Sequence, residues 1–105
     1  MKEKTVEELK KMLDNKEDFQ LIDVREPHEF EICNLNGELI PTNEIPNNID
    51  KISKTKTVVI HCRSGARSGN VCNYLVQNFG FKKFYNLQGG ILAWDDEIDP
   101  EMPKY

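Results

Sequence analysis

The apolar positions of this chain change their spacing several times, and each change predicts an element. Behind Thr5, the residues Val6, Leu9, Met12 and Leu13 recur at helical intervals, and Glu8 lies where it and Thr5 can cap each other reciprocally. This predicts an N-terminal helix of about two and a half turns. "FQLIDV", from Phe19 to Val24, is a short apolar run bounded by charged residues and predicts a strand buried on both faces. A second such run, "TVVIHC", begins at Thr57.

Between those runs the pattern weakens. Pro27 can start a short helix through Phe30, "ELIP" predicts a brief strand stopped by Pro41, and "NNIDKIS" predicts a short helix. Beyond Cys62, the residues Val71, Cys72, Leu75, Val76 and Phe79 fall at helical intervals until Gly80 offers a stop. "KFYNL" predicts a strand, "GGILAWDDE" a turn and helix, and "DPEMPKY" an extended tail. Strands alternating with helices imply an α/β domain with a mainly parallel sheet. No repeat or linker divides the chain, so residues 1–105 are expected to form one domain.

Composition narrows the function classes. With 38% hydrophobic and 30% charged residues, the chain fits a soluble globular protein, and no apolar stretch approaches the length of a membrane span. The N-terminus is charged from its second residue and lacks the apolar core of a secretory signal, as expected of a cytoplasmic protein. Three cysteines without a CxxC pair, and two histidines, argue against a disulfide framework or a zinc site. In a reducing compartment the cysteines are thiols. The net charge of -4 argues against a nucleic-acid partner. Its distribution is uneven: no acidic residue occurs between Asp50 and Asp95, and half of the fourteen basic residues lie there, Arg63 and Arg67 among them.

Those two arginines follow Cys62 in "VVIHCRSGARSG". A strand ending in cysteine, then a glycine-containing turn and a helix, puts the thiol at the carboxyl edge of the sheet, where α/β folds collect ligands. Turn amides can converge there, and the helix start adds roughly half a positive charge. Both favour thiolate over thiol, so the Cys62 pKa is expected to fall, and a thiolate is a nucleophile. Gly65 gives the turn its backbone freedom, Ser64 and Ala66 leave the bowl open, and Arg63 and Arg67 can fix an anion by charge-assisted hydrogen bonds. The competing reading is a cysteine that merely ends a buried strand. His61 alternates to the opposite face from Cys62, which suits a structural role better than a general base.

The loop length bears on the substrate. Cysteine phosphatases place five residues between cysteine and arginine; here four separate Cys62 from Arg67, and Ser68 occupies the next position. The shorter loop suits a smaller reacting atom. Phosphomonoester cleavage also benefits from an acid that protonates the departing oxygen, which only Asp23 or Glu29 could supply from a distance. Sulfite leaves thiosulfate readily as an anion and needs no such proton.

"LIDVREPHEF", "VVIHCRSGARS" and "YNLQGGILAW" are similar, segment by segment and in order, to the single-domain rhodaneses, the thiosulfate sulfurtransferases. The resemblance covers nearly the whole chain. It implies a three-layer α/β sandwich with a mainly parallel sheet of about five strands flanked by helices. It further implies that Cys62 takes up sulfur as a persulfide and that the loop Arg63, Ser64, Gly65, Ala66, Arg67 and Ser68 cradles it. By the same match Arg67 and Arg63 would orient an anionic donor, Asp23 and Arg25 would brace the first strand as an ion pair, and Gly89, Gly90 and Trp94 would shape the last helix.

One region departs from the family. Where rhodaneses commonly show Gly-His-Ile-x-Gly-Ala before a proline, this chain has "CNLNGELIP", keeping Gly37 but with a spacing one residue shorter before Pro41. Packing and substrate access at 33–41 are therefore expected to differ. Cys72 is expected in the core. Cys33 could serve as a resolving thiol only if it approached Cys62.

The expected function is a two-step sulfurtransferase using a small anionic sulfur donor and a thiol, cyanide or protein acceptor, with no metal, organic cofactor, nucleic acid or membrane involved. The alternatives are a module that delivers sulfur to, or senses it for, a protein partner, and a cysteine phosphatase or arsenate reductase of related fold.

Overall fold

The computed structural model describes residues 1–105. Its elements run in the order β1 (Glu3–Lys4), α1 (Val6–Asp14), β2 (Phe19–Asp23), α2 (Pro27–Ile32), β3 (Glu38–Leu39), β4 (Thr57–His61), α3 (Ala66–Phe79), β5 (Phe84–Leu87) and α4 (Gly90–Glu97). Two 3-10 turns, Thr42–Asn47 and Ile49–Lys51, join β3 to β4. The five strands form one sheet in the order β1-β5-β4-β2-β3, and every pairing is parallel.

Local chemistry explains where α1 begins. The Glu8 amide donates to Thr5 Oγ1 at 3.1 Å, and the Thr5 amide donates to Glu8 Oε1 at 2.9 Å, so two otherwise orphaned donors are satisfied. Loss of such a cap costs about 1 kcal/mol. Val6, Leu9 and Met12 form the buried stripe of this helix.

The central strand β4 is buried from Val58 onward and serves two cores. Val58, Ile60 and Cys62 face one with Val71, Cys72 and Leu75 of α3; Val59 faces the other with α1 and with Ile91 and Trp94 of α4. Helices thus cover both faces, as a parallel sheet requires. Cys33 belongs to the α1 and α4 side. Cys62 and Cys33 therefore lie in different layers, which removes the basis for a resolving pair.

Four features differ in detail from the sequence reading. The two-residue β1 pairs with the distant β5 and is too short to show a period. The segment expected as a helix at 47–53 holds instead only the end of the first 3-10 turn and the three-residue second one, with Pro46 inside the first and only Ile45 buried there. The helix after Cys62 begins at Ala66, so Arg67 and Ser68 stand on its first turn. The tail turns at Asp99, whose carbonyl accepts from the Met102 amide at 3.1 Å, and packs Ile98, Met102 and Tyr105 against the α1 and α4 core. No helix is long and apolar enough to cross a membrane.

Candidate active site

β4 delivers Cys62 to the carboxyl edge of the sheet, and Gly65, at φ +105°, turns the chain into α3. A side chain at that φ is strained, which accounts for glycine at the turn. The turn aims donors at the sulfur: the Gly65 amide lies 3.1 Å and Ser68 Oγ 3.3 Å from Cys62 Sγ. Cys62 is only 1% exposed, and burial pushes its thiol up. Hydrogen bonds from the Ser68 hydroxyl and from the main chain of Ser68, Gly65 and Ser64 together outweigh burial, so its pKa falls below the ordinary thiol value.

α4 fixes the start of this loop from the other side. Its amides of Ile91 and Leu92 donate to the carbonyls of Cys62 and Arg63, each at 3.0 Å. The approach is possible only because residue 90 is glycine: a Cβ there would lie 2.4 Å from the Arg63 carbonyl oxygen. From β5, Asn86 Nδ2 donates to the Gly65 carbonyl at 3.1 Å, and Asn86 Oδ1 lies 2.5 Å from Ser68 Oγ. Asn86 and the positioning role of Gly90 escape a sequence reading. The available signal for Asn86 is a polar residue at a core-facing place in the apolar "FYNL" strand.

Around this loop the charged groups pair tightly. Asp23 and Arg25 are both fully buried, with Asp23 Oδ2 2.8 Å from Arg25 Nη2 and Asp23 Oδ1 3.0 Å from Arg25 Nε. Arg25 also reaches the Cys33 carbonyl at 2.7 Å, anchoring the start of the divergent 33–41 segment. Arg67 binds both oxygens of Glu29, at 2.7 and 2.9 Å, and Tyr105 donates its hydroxyl to Glu29 Oε2 at 2.7 Å. The Arg67 contact holds the Glu29 carboxyl down at about 2. Glu29 therefore has no proton to give near neutrality, and both Asp23 oxygens are engaged by Arg25.

Arg63 lies over the Tyr105 ring, 4.9 Å from its centroid, and donates to the Tyr105 main-chain oxygen. His61 is buried on the face opposite Cys62, where desolvation lowers its pKa and keeps the imidazole neutral. Its Nε2 stands 3.7 Å from Asp23 Oδ2. Cys72, on the buried face of α3, lies in the core, and burial raises its thiol pKa. No group of histidine, cysteine and acidic side chains could hold a metal ion. Of the expected loop residues, the structure sets Gly65 and Ser68 within hydrogen-bond reach of the Cys62 sulfur and turns Arg67 to Glu29 and Arg63 to Tyr105, while Asp23 and Arg25 form a buried ion pair.

A parallel five-stranded sheet wrapped by helices, with a cysteine loop at its carboxyl edge, defines a class of domain, and comparison with known proteins identifies it. The rhodanese-like domain family matches residues 5–97, and the chain belongs to that family. It is 43% identical over 89 residues to a sulfurtransferase of Allochromatium vinosum, covering 84% of this chain and 82% of that one. It is 42% identical over 91 residues to the rhodanese-like/PpiC domain-containing protein 12, chloroplastic, of Arabidopsis thaliana, covering 82% of this chain. The crystal structure of a rhodanese-like domain protein from Staphylococcus aureus superposes with a TM-score of 0.82 at 37% identity, covering 93% of this chain and 95% of that one. Some relatives are much longer: the chain spans 30% of the Arabidopsis protein and 26% of a Mycobacterium tuberculosis relative. Relatives within this family carry the name sulfurtransferase, among them that of Allochromatium vinosum and a putative one of Bacillus subtilis, 38% identical over 102 residues.

Proposed function

We propose that residues 1–105 act as one domain that moves a sulfane sulfur from thiosulfate, or a similar anionic donor, through a persulfide on Cys62. The observation that carries this reading is the pair of donors, the Gly65 amide and the Ser68 hydroxyl, aimed at a single sulfur atom. Cys62 thiolate attacks the outer sulfur of the donor. A new S–S bond forms, the old one breaks, and sulfite departs with the bonding electron pair. In the second half an acceptor thiolate or cyanide attacks the outer sulfur of the persulfide and Cys62 thiolate leaves.

The surrounding chemistry supports sulfur over phosphate. Glu29, the carboxyl nearest the loop arginine, cannot protonate a departing alkoxide, since Arg67 holds it ionised, and both Asp23 oxygens are turned to Arg25. Sulfite needs no such help. Arg67 remains 38% exposed along its side chain, and with Arg63 it orients the donor anion. Asp23 and Arg25 support the loop without touching substrate. In the cell the acceptor is a dithiol or a protein thiol, and a reducing cytoplasm keeps Cys62 free of disulfides.

Thiocyanate production from thiosulfate and cyanide tests the reading. Wild-type protein turns over, Cys62→Ser does not, and an aryl phosphate is left intact by both. Hydrolysis of the aryl phosphate without thiocyanate production would overturn it in favour of a phosphatase.

A further inference from the structure

We infer that the Ser68 hydroxyl is a two-position proton donor shared between Cys62 and Asn86, and that Asn86 is a positioning residue that sets how readily Cys62 ionises. Ser68 is fully buried, and its Oγ lies 3.3 Å from Cys62 Sγ and 2.5 Å from Asn86 Oδ1. A hydroxyl carries one proton, so it serves one of these acceptors at a time. Asn86, 2% exposed, cannot turn its amide to escape the contest. Its Nδ2 donates to the Gly65 carbonyl at 3.1 Å, and a flip would set two carbonyl oxygens against each other.

The two charge states of Cys62 then select different arrangements. As a thiol, Cys62 donates to Ser68 Oγ, and Ser68 donates to Asn86 Oδ1, which satisfies every group. As a thiolate it draws the Ser68 proton to itself through a charge-assisted bond, and Asn86 Oδ1 is left as a buried acceptor with no donor. Asn86 therefore resists ionisation, while Ser68 favours it. Resting on the sulfurtransferase reading, the same geometry extends to turnover. Once Cys62 carries a second sulfur, its Sγ is a neutral, disulfide-type atom and the negative charge sits on the outer sulfur. The Ser68 proton then returns to Asn86, and the hydroxyl follows the charge through the cycle.

No ionisable side chain is hydrogen-bonded to Asn86. The charged and titratable groups around Cys62 are Arg67 on α3, with Glu29 of α2 and Tyr105 of the tail behind it, and Arg63 on the loop. His61 and Asp23 lie on the other side of the sheet. Arg67 and Glu29 remain paired across the range in which a thiol titrates, so the ionisation of Cys62 can be read separately.

The test is the pH dependence of Cys62 alkylation by iodoacetamide, resolved to residue 62 by peptide mass spectrometry. Asn86→Ala should move the midpoint down by about half a unit or more, because the competing acceptor is gone. Ser68→Ala should move it up. In the Ser68→Ala background the Asn86 substitution should have no further downward effect. If Asn86 merely braced the loop, its loss would loosen the Gly65 donor and move the midpoint up. An upward or absent shift, or a downward shift that persists without Ser68, overturns the inference.

Should Asn86→Ala fail to fold, the wild-type protein supplies a second readout. The side-chain carbonyl carbon of Asn86, followed by NMR, should titrate with Cys62 and cease to do so in Ser68→Ala. A signal constant across the Cys62 transition overturns the inference. Neither measurement needs turnover: inactivity toward thiosulfate with the shift intact refutes only the sulfurtransferase reading, and activity without the shift refutes only the switch.

Discussion

Arg67 does not stand free to meet a donor: both of its terminal nitrogens bind the two oxygens of Glu29, at 2.7 and 2.9 Å. A bidentate pair of this kind fixes the plane of the guanidinium group, and Tyr105, donating to the same carboxylate, fixes Glu29 in turn. The arginine is thus a held, partly exposed cation. Preorganisation of this sort favours a small anion that must be placed within bonding distance of one sulfur.

Arg67→Ala should therefore reduce kcat/KM for thiosulfate at least tenfold, about 1.4 kcal/mol of transition-state stabilisation. It also leaves Glu29 with Tyr105 and the Glu26 amide as its remaining partners, so a loss of about 1 kcal/mol in stability is expected alongside. Steady-state kinetics and thermal melts on the same preparation separate the two effects. Unchanged thiosulfate kinetics would remove Arg67 from donor binding.

Glu29 gives the fold a pH dependence of definite sign. Its folded pKa is depressed to about 2, below an unfolded value of roughly 4.3. Its contribution is thus fully present above the unfolded value and is lost as pH falls from about 4.3 toward 2. Urea unfolding followed across that window should show a steeper decline for the wild type than for Glu29→Gln. Equal slopes would mean that the pair with Arg67 contributes nothing.

Gly90 and Gly80 provide a matched comparison, since both have positive φ, +60° and +71°. An added Cβ at Gly90 meets the Arg63 carbonyl oxygen at 2.4 Å, whereas one at Gly80 meets nothing within 4 Å. Gly80→Ala should cost about 1 kcal/mol, the conformational penalty alone. Gly90→Ala should cost roughly 3 kcal/mol or more, or displace the loop start and slow Cys62 alkylation. Similar losses at both positions in denaturant unfolding would contradict the close packing of α4 on the Cys62 loop.

Much of this architecture was legible in the chain because it is locally encoded. The α1 cap lies within four residues, β2 and β4 announce themselves as apolar runs, and Asp23 and Arg25 are neighbours on one turn of chain. Cys62 and its donors span only seven residues, which is why the loop could be read as an anion site. The missing parts come from distant segments. Tyr105 reaches Glu29 across 76 residues, Asn86 reaches Ser68 across 18, and β1 is defined only by its pairing with β5. Spacing carries no information about such contacts. Pro46 breaks any helical register between β3 and β4, so the 3-10 turns there left only a weak pattern.

The central claim is that one sulfur atom, Cys62 Sγ, carries the transferred sulfur. Intact-protein mass spectrometry after incubation with thiosulfate addresses it directly. The wild type, Cys33→Ser and Cys72→Ser should each gain the mass of one sulfur atom, and Cys62→Ser should gain none. Retention of the added mass in Cys62→Ser would contradict the account.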